Sequence, residues 1–145
     1  MLITKTELEH LDDLGIEAWD KHDADAFVDL FAEHFTWTDW ANPEPLRDRE
    51  SAKAFFNTWI TAFPDMRTKS VLRVIGEDTV SGEIEFTGSN DGVMIMGGNE
   101  ILPTHKLVHG RGTYTARAEN GKIVEFRTHP DIAGMMMQLG FLPPT

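Results

Sequence analysis

Arg127, His129 and Asp131 alternate near the carboxyl end of the chain, separated by Thr128 and Pro130. On an extended strand, residues two apart share a face and lie about 6.6 Å apart, so a guanidinium, an imidazole and a carboxylate would project into one space. Proton abstraction beside a carbonyl needs a base whose pKa approaches the working pH, and an Asp enclosed by Trp, Phe and Met is moved upward by desolvation. Asp131 is therefore a candidate general acid/base. His129 can orient it or donate to a substrate oxygen, and Arg127 can steady a developing enolate or hold a substrate carboxylate. Each residue also has a purely structural reading. Asp131 follows Pro130 and precedes a helical stretch that it can cap, His129 can be a hydrogen-bonded strand end, and Arg127 can pair with Glu125 or Glu85. Tyr114, the one tyrosine in the chain, can hydrogen-bond a carbonyl oxygen from the opposite wall or fill a core.

Apolar side chains that could line such a space are Trp37, Trp40, Trp59, Met94, Met96 and Met136, with Trp40 and Trp59 the leading wall residues. Other chemistries find no support. His105 and His109 have the zinc spacing of a helix, but on a strand they stand about 13 Å apart and cannot share one ion. Gly97-Gly98 lacks the Lys and Ser/Thr of a phosphate loop, and no Gly-x-Ser-x-Gly elbow is present. Cysteine is absent, which excludes disulfides, thiolate metal sites and cysteine nucleophiles. No metal and no cofactor are expected.

These residues must be carried by a small set of elements. Thr4 to Glu7 fits a capping box, followed by Leu8, Leu11, Leu14, Ala18 and Trp19 at helical steps to about Lys21. Asp23 can cap a second helix that stops about Glu33 or His34. Phe35 to Trp40 alternates as a short strand closed by Asn42-Pro43-Glu44-Pro45. Arg49 to Phe63 is a third amphipathic helix, ended by Pro64. The period then changes to two: Met66–Ile75, Thr79–Thr87, His105–Arg117 and Lys122–His129 read as four strands in consecutive antiparallel hairpins. Gly88 to Pro103 is a long connection of the kind that forms lids or binding loops, and Asp131 to Leu139 is a last helix, ended by Gly140 and Pro143-Pro144. Helices followed by a meander imply an α+β layer packing with a cone-shaped cavity.

At 145 residues the chain has room for one domain, residues 1–145. Its 24 acidic against 13 basic residues give a net charge of −11, a field that repels nucleic acid. No apolar run is long enough to span a bilayer. The opening Met-Leu-Ile-Thr-Lys-Thr-Glu has no apolar leader segment, so the cytoplasm is the expected compartment.

Several short motifs, in order, resemble one family: Leu46-Arg47-Asp48-Arg49-Glu50-Ser51, Ala62-Phe63-Pro64-Asp65-Met66-Arg67, Phe86-Thr87-Gly88, Pro103-Thr104, Asn120-Gly121-Lys122-Ile123-Val124-Glu125, Asp131-Ile132-Ala133-Gly134-Met135 and Gln138-Leu139-Gly140. Their order and spacing resemble the SnoaL-like polyketide cyclase (ester cyclase) family, within the nuclear transport factor 2-like (cystatin-like) superfamily. Thr38-Asp39-Trp40 stands where members often carry His-Asp-Pro, Arg127 replaces a frequent Trp, and the loop from Gly88 to Pro103 is longer than usual. The resemblance implies helices packed on a curved, mainly antiparallel sheet. It also implies a cofactor-independent cyclase or isomerase acting on a small, mostly apolar or aromatic carbonyl substrate, with intramolecular aldol closure as the model reaction. It assigns the acid/base role to the position of Asp131 and suggests a homodimer. Epoxide-hydrolase-like activation of water, with Tyr114 or Asn42 placing the water, and a non-catalytic ligand-binding module are the alternative readings.

Overall fold

The computed structural model describes residues 3–143. Among these, α1 (Lys5–Asp20), α2 (Ala24–Val28), β1 (Phe31–Asp39), α3 (Arg49–Ala62), β2 (Arg67–Ile75), β3 (Thr79–Ser89), β4 (Met94–Met96), β5 (Asn99–Ile101), β6 (Leu107–Glu119), β7 (Lys122–Pro130) and α4 (Ile132–Leu139) follow in chain order. The main sheet runs β1-β7-β6-β3-β2. Its β2/β3, β3/β6 and β6/β7 pairs are antiparallel, as the meander predicts, and β1 joins the far edge parallel to β7.

Local chemistry sets the element ends. Thr4 Oγ1 accepts from the Glu7 amide at 3.1 Å, Asp23 from Ala26 at 3.0 Å, Asp48 from Ser51 at 2.7 Å and Asp131 from Gly134 at 2.9 Å, so each helix has one of its orphan N–H groups capped. Gly140, at φ +89°, closes α4 in the left-handed region that glycine adopts without steric cost. Pro144, part of the predicted stop, lies outside the described residues, as do Met1 and Leu2 of the opening segment.

Two boundaries differ from the sequence reading by more than two residues. The second helix ends at Val28 instead of Glu33 or His34, and β1 begins at Phe31 instead of Phe35. The cause is tertiary: the Ile123 amide donates to Leu30 O at 2.9 Å and Phe31 pairs with Ile123, so β7 draws this segment into the sheet and leaves an irregular register between Phe31 and Thr36. The stripe of Phe27 and Phe31 still serves the core, with both rings almost wholly buried. The connection after Gly88 also contains a small hairpin, β4–β5.

Rings from α1, α2, β1, α3 and β7 interlock around Phe27, whose centroid lies 5.4 Å from Trp19, 5.6 Å from Trp37 and 5.7 Å from Phe126. A second cluster of Phe63, Phe86, Val108 and Met135 seats α4 and the end of α3 on the sheet. The hairpin is anchored by Asn90, which is fully buried. Its Nδ2 donates to Ala62 O at 3.1 Å and Gly92 O at 3.0 Å, and its Oδ1 accepts from the amide and hydroxyl of Thr104 at 3.0 and 2.9 Å. A buried amide with all these bonds made is costly to delete, because its partners cannot turn to water. Asn90→Ala is expected to lower unfolding free energy by about 2–4 kcal/mol in urea titrations; a loss below about 0.5 kcal/mol would show that the hairpin base is held by other contacts.

Candidate active site

Strand pleating decides which side chains meet between the sheet and the helices. Along β1, Phe35, Trp37 and Asp39 are buried, while Thr36 and Thr38 between them are only partly so. In the ladder, Trp37 is level with Phe126 and Asp39 with Thr128; Thr128 pairs with Tyr114, Tyr114 with Gly82, and Gly82 with Arg73. One lateral row therefore crosses every strand of the main sheet. Directly paired residues share a face, and this row looks toward α1.

Between that face and α1 and α3 lies a cavity of about 140 Å³. Its walls are mostly apolar, with Trp19, Trp37, Phe55, Trp59, Phe86 and Phe126 supplying the aromatic surface. On β6, Gly112, Tyr114, Ala116 and Ala118 belong to the face turned to the cavity, and Arg111 and Thr113, which alternate with them, are exposed. The volume resembles that of an engineered cavity of roughly 150 Å³ that takes benzene. It encloses about one ring.

Two carboxylates face this space. Asp39 is 4% exposed. Its Oδ1 accepts from the Ala41 amide at 2.8 Å, and its Oδ2 accepts from the Thr128 hydroxyl, which in turn accepts from Trp37 Nε1 at 2.9 Å. Every donor is neutral. Burial raises its pKa above the ordinary carboxylate value, and the bonds from Thr128 and Ala41 offset this only in part.

Asp12 stands on α1, one turn beyond Leu8, and is 7% exposed. Its Oδ1 accepts from the Tyr114 hydroxyl at 2.6 Å, and its Oδ2 pairs with Arg73 Nη1 at 3.1 Å. Arg73 also holds Asp13 and Glu9, clamping α1 onto β2. Tyr114 reaches Asp12 by lying across β3 at Gly82, where a Cβ would stand 2.7 Å from the phenol oxygen and 2.9 Å from Leu72 O. Burial, then the bond to Asp12, raises the Tyr114 pKa, so the phenol stays protonated.

The model of the SnoaL-like polyketide cyclases matches residues 9–139. The chain belongs to that family. No curated protein matches it in sequence. Among solved structures it is similar to AclR of Streptomyces galilaeus, a proposed hydroxylase, at 20% identity over 98% of this chain and 86% of that one, with a TM-score of 0.83. A proposed SnoaL-like polyketide cyclase of Jannaschia sp. CCS1 is also 20% identical, over 96% and 94%, with a TM-score of 0.82. IdmH of Streptomyces antibioticus, a proposed polyketide cyclase, is 23% identical over 92% and 98%, with a TM-score of 0.74. At these identities the likeness establishes the nuclear transport factor 2-like fold.

In this SnoaL-like chain Arg127 and His129 fall on the other side of the β7 pleat, because Phe126, Thr128 and Pro130 line the cavity, and Asp131 lies just past the end of the strand. Arg127 Nη1 lies 3.3 Å from Glu125 Oε1, the strand ion pair of the structural reading. The exposed His129 stacks against Trp40 at 5.5 Å between centroids. Asp131 is exposed and caps α4 through Gly134.

Of the predicted wall residues, Trp59 lines the cavity. Met94 and Met96 instead line, with Trp59, a side cleft of about 20 Å³, roughly room for one water. Trp40 is 64% exposed, and Met136 packs in the second core cluster. Tyr114 lines the cavity, but its proton goes to Asp12 and not to a ligand carbonyl. Neither Asp12 nor Asp39 was singled out from the sequence, although both carried a signal. Asp39 shares the parity of Phe35 and Trp37, and Asp12 lies in the helical stripe of Leu8, Leu11 and Trp19.

A carboxyl whose folded pKa is raised favours the folded state below its unfolded pKa near 3.8, and that contribution is lost as pH rises through the folded pKa. Asp39→Asn removes this dependence. Urea unfolding of both proteins at pH values rising from 4 is expected to show the difference in stability moving in favour of the Asn variant until the folded pKa is passed, and level thereafter; a constant or opposite trend would show that Asp39 is not penalised by burial.

Proposed function

We propose that the protein is a cofactor-independent cyclase or isomerase of the SnoaL-like type in which Asp39, not Asp131, is the general acid/base. The observation that carries this reading is a carboxylate 4% exposed, on the wall of an aromatic cavity, whose hydrogen-bond donors are all neutral. An Arg or Lys bonded to it would hold the carboxylate ionised and weaken it as a base; neutral donors orient it without doing so. Its raised pKa brings it toward the working pH, where proton transfer in both directions is effective.

In the reaction, the Asp39 carboxylate removes a proton from a carbon beside a carbonyl, leaving the electron pair delocalised as an enolate. That carbon attacks a second carbonyl carbon of the same molecule. The new C–C bond forms as the C=O π bond opens, and the resulting alkoxide takes the proton back from Asp39. Atoms and charge balance with no other reactant. Thr128 and the Ala41 amide hold the carboxylate in place, and Trp37 holds Thr128. The substrate is a small aromatic or conjugated carbonyl compound, because the walls offer rings and the enclosed volume suits one ring. A cytoplasmic homodimer is part of the same proposal; Val71, Leu72 and Val74, exposed apolar side chains on edge strand β2, support pairing.

The test is exchange of α-protons with deuterated solvent, followed by NMR, on a panel of aryl methyl ketones and aryl β-keto esters. Asp39→Asn is expected to slow exchange by about 10²- to 10⁴-fold with the fold retained, and Asp131→Asn to leave it within a few-fold of the parent. The reverse pattern would return the acid/base role to Asp131. Incorporation of labelled solvent oxygen into product would favour epoxide-type hydrolysis, because aldol closure incorporates none.

A further inference from the structure

We infer that Tyr114, held by Asp12, is a second binding pole of the cavity and selects ligands that present a hydroxyl hydrogen to it, so that the ligand is a phenol or enol as well as a carbonyl compound. This rests on reading the cavity as the substrate site and adds the side of the ligand remote from Asp39.

The Trp37 N–H goes to Thr128, the Thr128 O–H to Asp39, and the Tyr114 O–H to Asp12. Each of these donors is spent on another wall residue. A phenol oxygen can accept as well as donate, and the Tyr114 oxygen accepts no hydrogen bond from any described residue. It is left as an acceptor in a cavity whose walls are otherwise mostly apolar.

The direction of the Tyr114 hydrogen is set by geometry. Asp12 Oδ1 takes it at 2.6 Å, Arg73 Nη1 engages the second Asp12 oxygen at 3.1 Å, and an ionised carboxylate only accepts. Gly82 makes the approach possible, since any larger residue would put a Cβ against the phenol oxygen and Leu72 O. Tyr114 is two strands from Asp39, and its hydroxyl reaches over a third, which at about 4.8 Å per strand separates the two poles by on the order of 14 Å along the sheet. They therefore address different parts of one ligand. A carbonyl at the Tyr114 end would meet a lone pair and lose its water without compensation; a hydroxyl there would replace it.

The experiment measures equilibrium binding of phenol, toluene and benzaldehyde by ligand-observed NMR and calorimetry, with no turnover required. The three have similar size and differ in offering a donor, nothing, or an acceptor. In the parent protein phenol is expected to bind roughly three- to tenfold tighter than the other two, the worth of one hydrogen bond. Tyr114→Phe is expected to remove that advantage and leave toluene unchanged. Asp12→Leu frees the Tyr114 hydrogen, and the preference is expected to move toward benzaldehyde; Arg73 keeps Asp13 and Glu9 in this variant, and it decides the matter if Tyr114→Phe does not fold. Benzaldehyde binding as well as phenol in the parent, or an unchanged phenol preference in Asp12→Leu, would overturn the assignment, as would failure of all three to bind. Those outcomes leave the proton-exchange test of Asp39 to stand or fall alone.

Discussion

The two-residue period of a β-strand is the constraint on which the rest of this molecule depends. Because successive side chains alternate faces, one choice of parity on β7 puts Phe126, Thr128 and Pro130 against the helices and leaves Arg127 and His129 outside. Pairing then carries that choice from strand to strand: Asp39 follows Thr128 on one side, Tyr114 follows it on the other, and Gly82 and Arg73 complete the row. A slip of a single residue on β7 would bury a guanidinium and an imidazole and expose the core ring of Phe126. Desolvation of that size has no compensating partner here, so the register is strongly determined.

Along that row the two buried carboxylates, Asp39 in it and Asp12 above it on α1, have different surroundings. Asp12 meets a guanidinium that is shared with Asp13 and Glu9, and its role joins α1 to β2 while fixing the direction of the Tyr114 hydroxyl. Asp39 meets a hydroxyl and an amide. The first environment compensates a buried charge with an opposite one; the second leaves the charged form of the group penalised by the cavity around it. Two groups of one chemical type, one on helix α1 and one on strand β1, thus acquire different chemistry from their neighbours alone.

Most of the fold was legible in the residues because the signals were local. Caps at Thr4, Asp23 and Asp131, the helical stripe from Ala52 to Phe63, and the change of period after Pro64 all correspond to elements in place. The start of β1 was not, because Phe31 enters the sheet through a parallel pairing with a strand about ninety residues later, which no local pattern encodes. The site was less legible. The two-residue spacing groups Arg127 with His129 on β7, and Asp131 falls past the strand's end as the cap of α4; spacing also gives no sign for which face is inside. That sign was present in the neighbours: Phe126 on β7, and Phe35 and Trp37 on β1, are the apolar members of their alternations, and Thr128 and Asp39 share their parity.

The capping role of Asp131 bears on how a family motif should be carried to a particular chain. Its Oδ1 is used at the N-terminus of α4, which in turn seats Met135 and Leu139 in the second core cluster, so this position has a structural reason to be acidic that is independent of catalysis. The cavity imposes a separate requirement, a group whose proton affinity is set by burial, and Asp39 meets it from the opposite strand. The enclosed space holds about one ring, and it is bounded by Asp39 and Thr128 toward one edge of the sheet and by Tyr114 toward the other, so its shape and its few polar groups are set by the same row of paired residues.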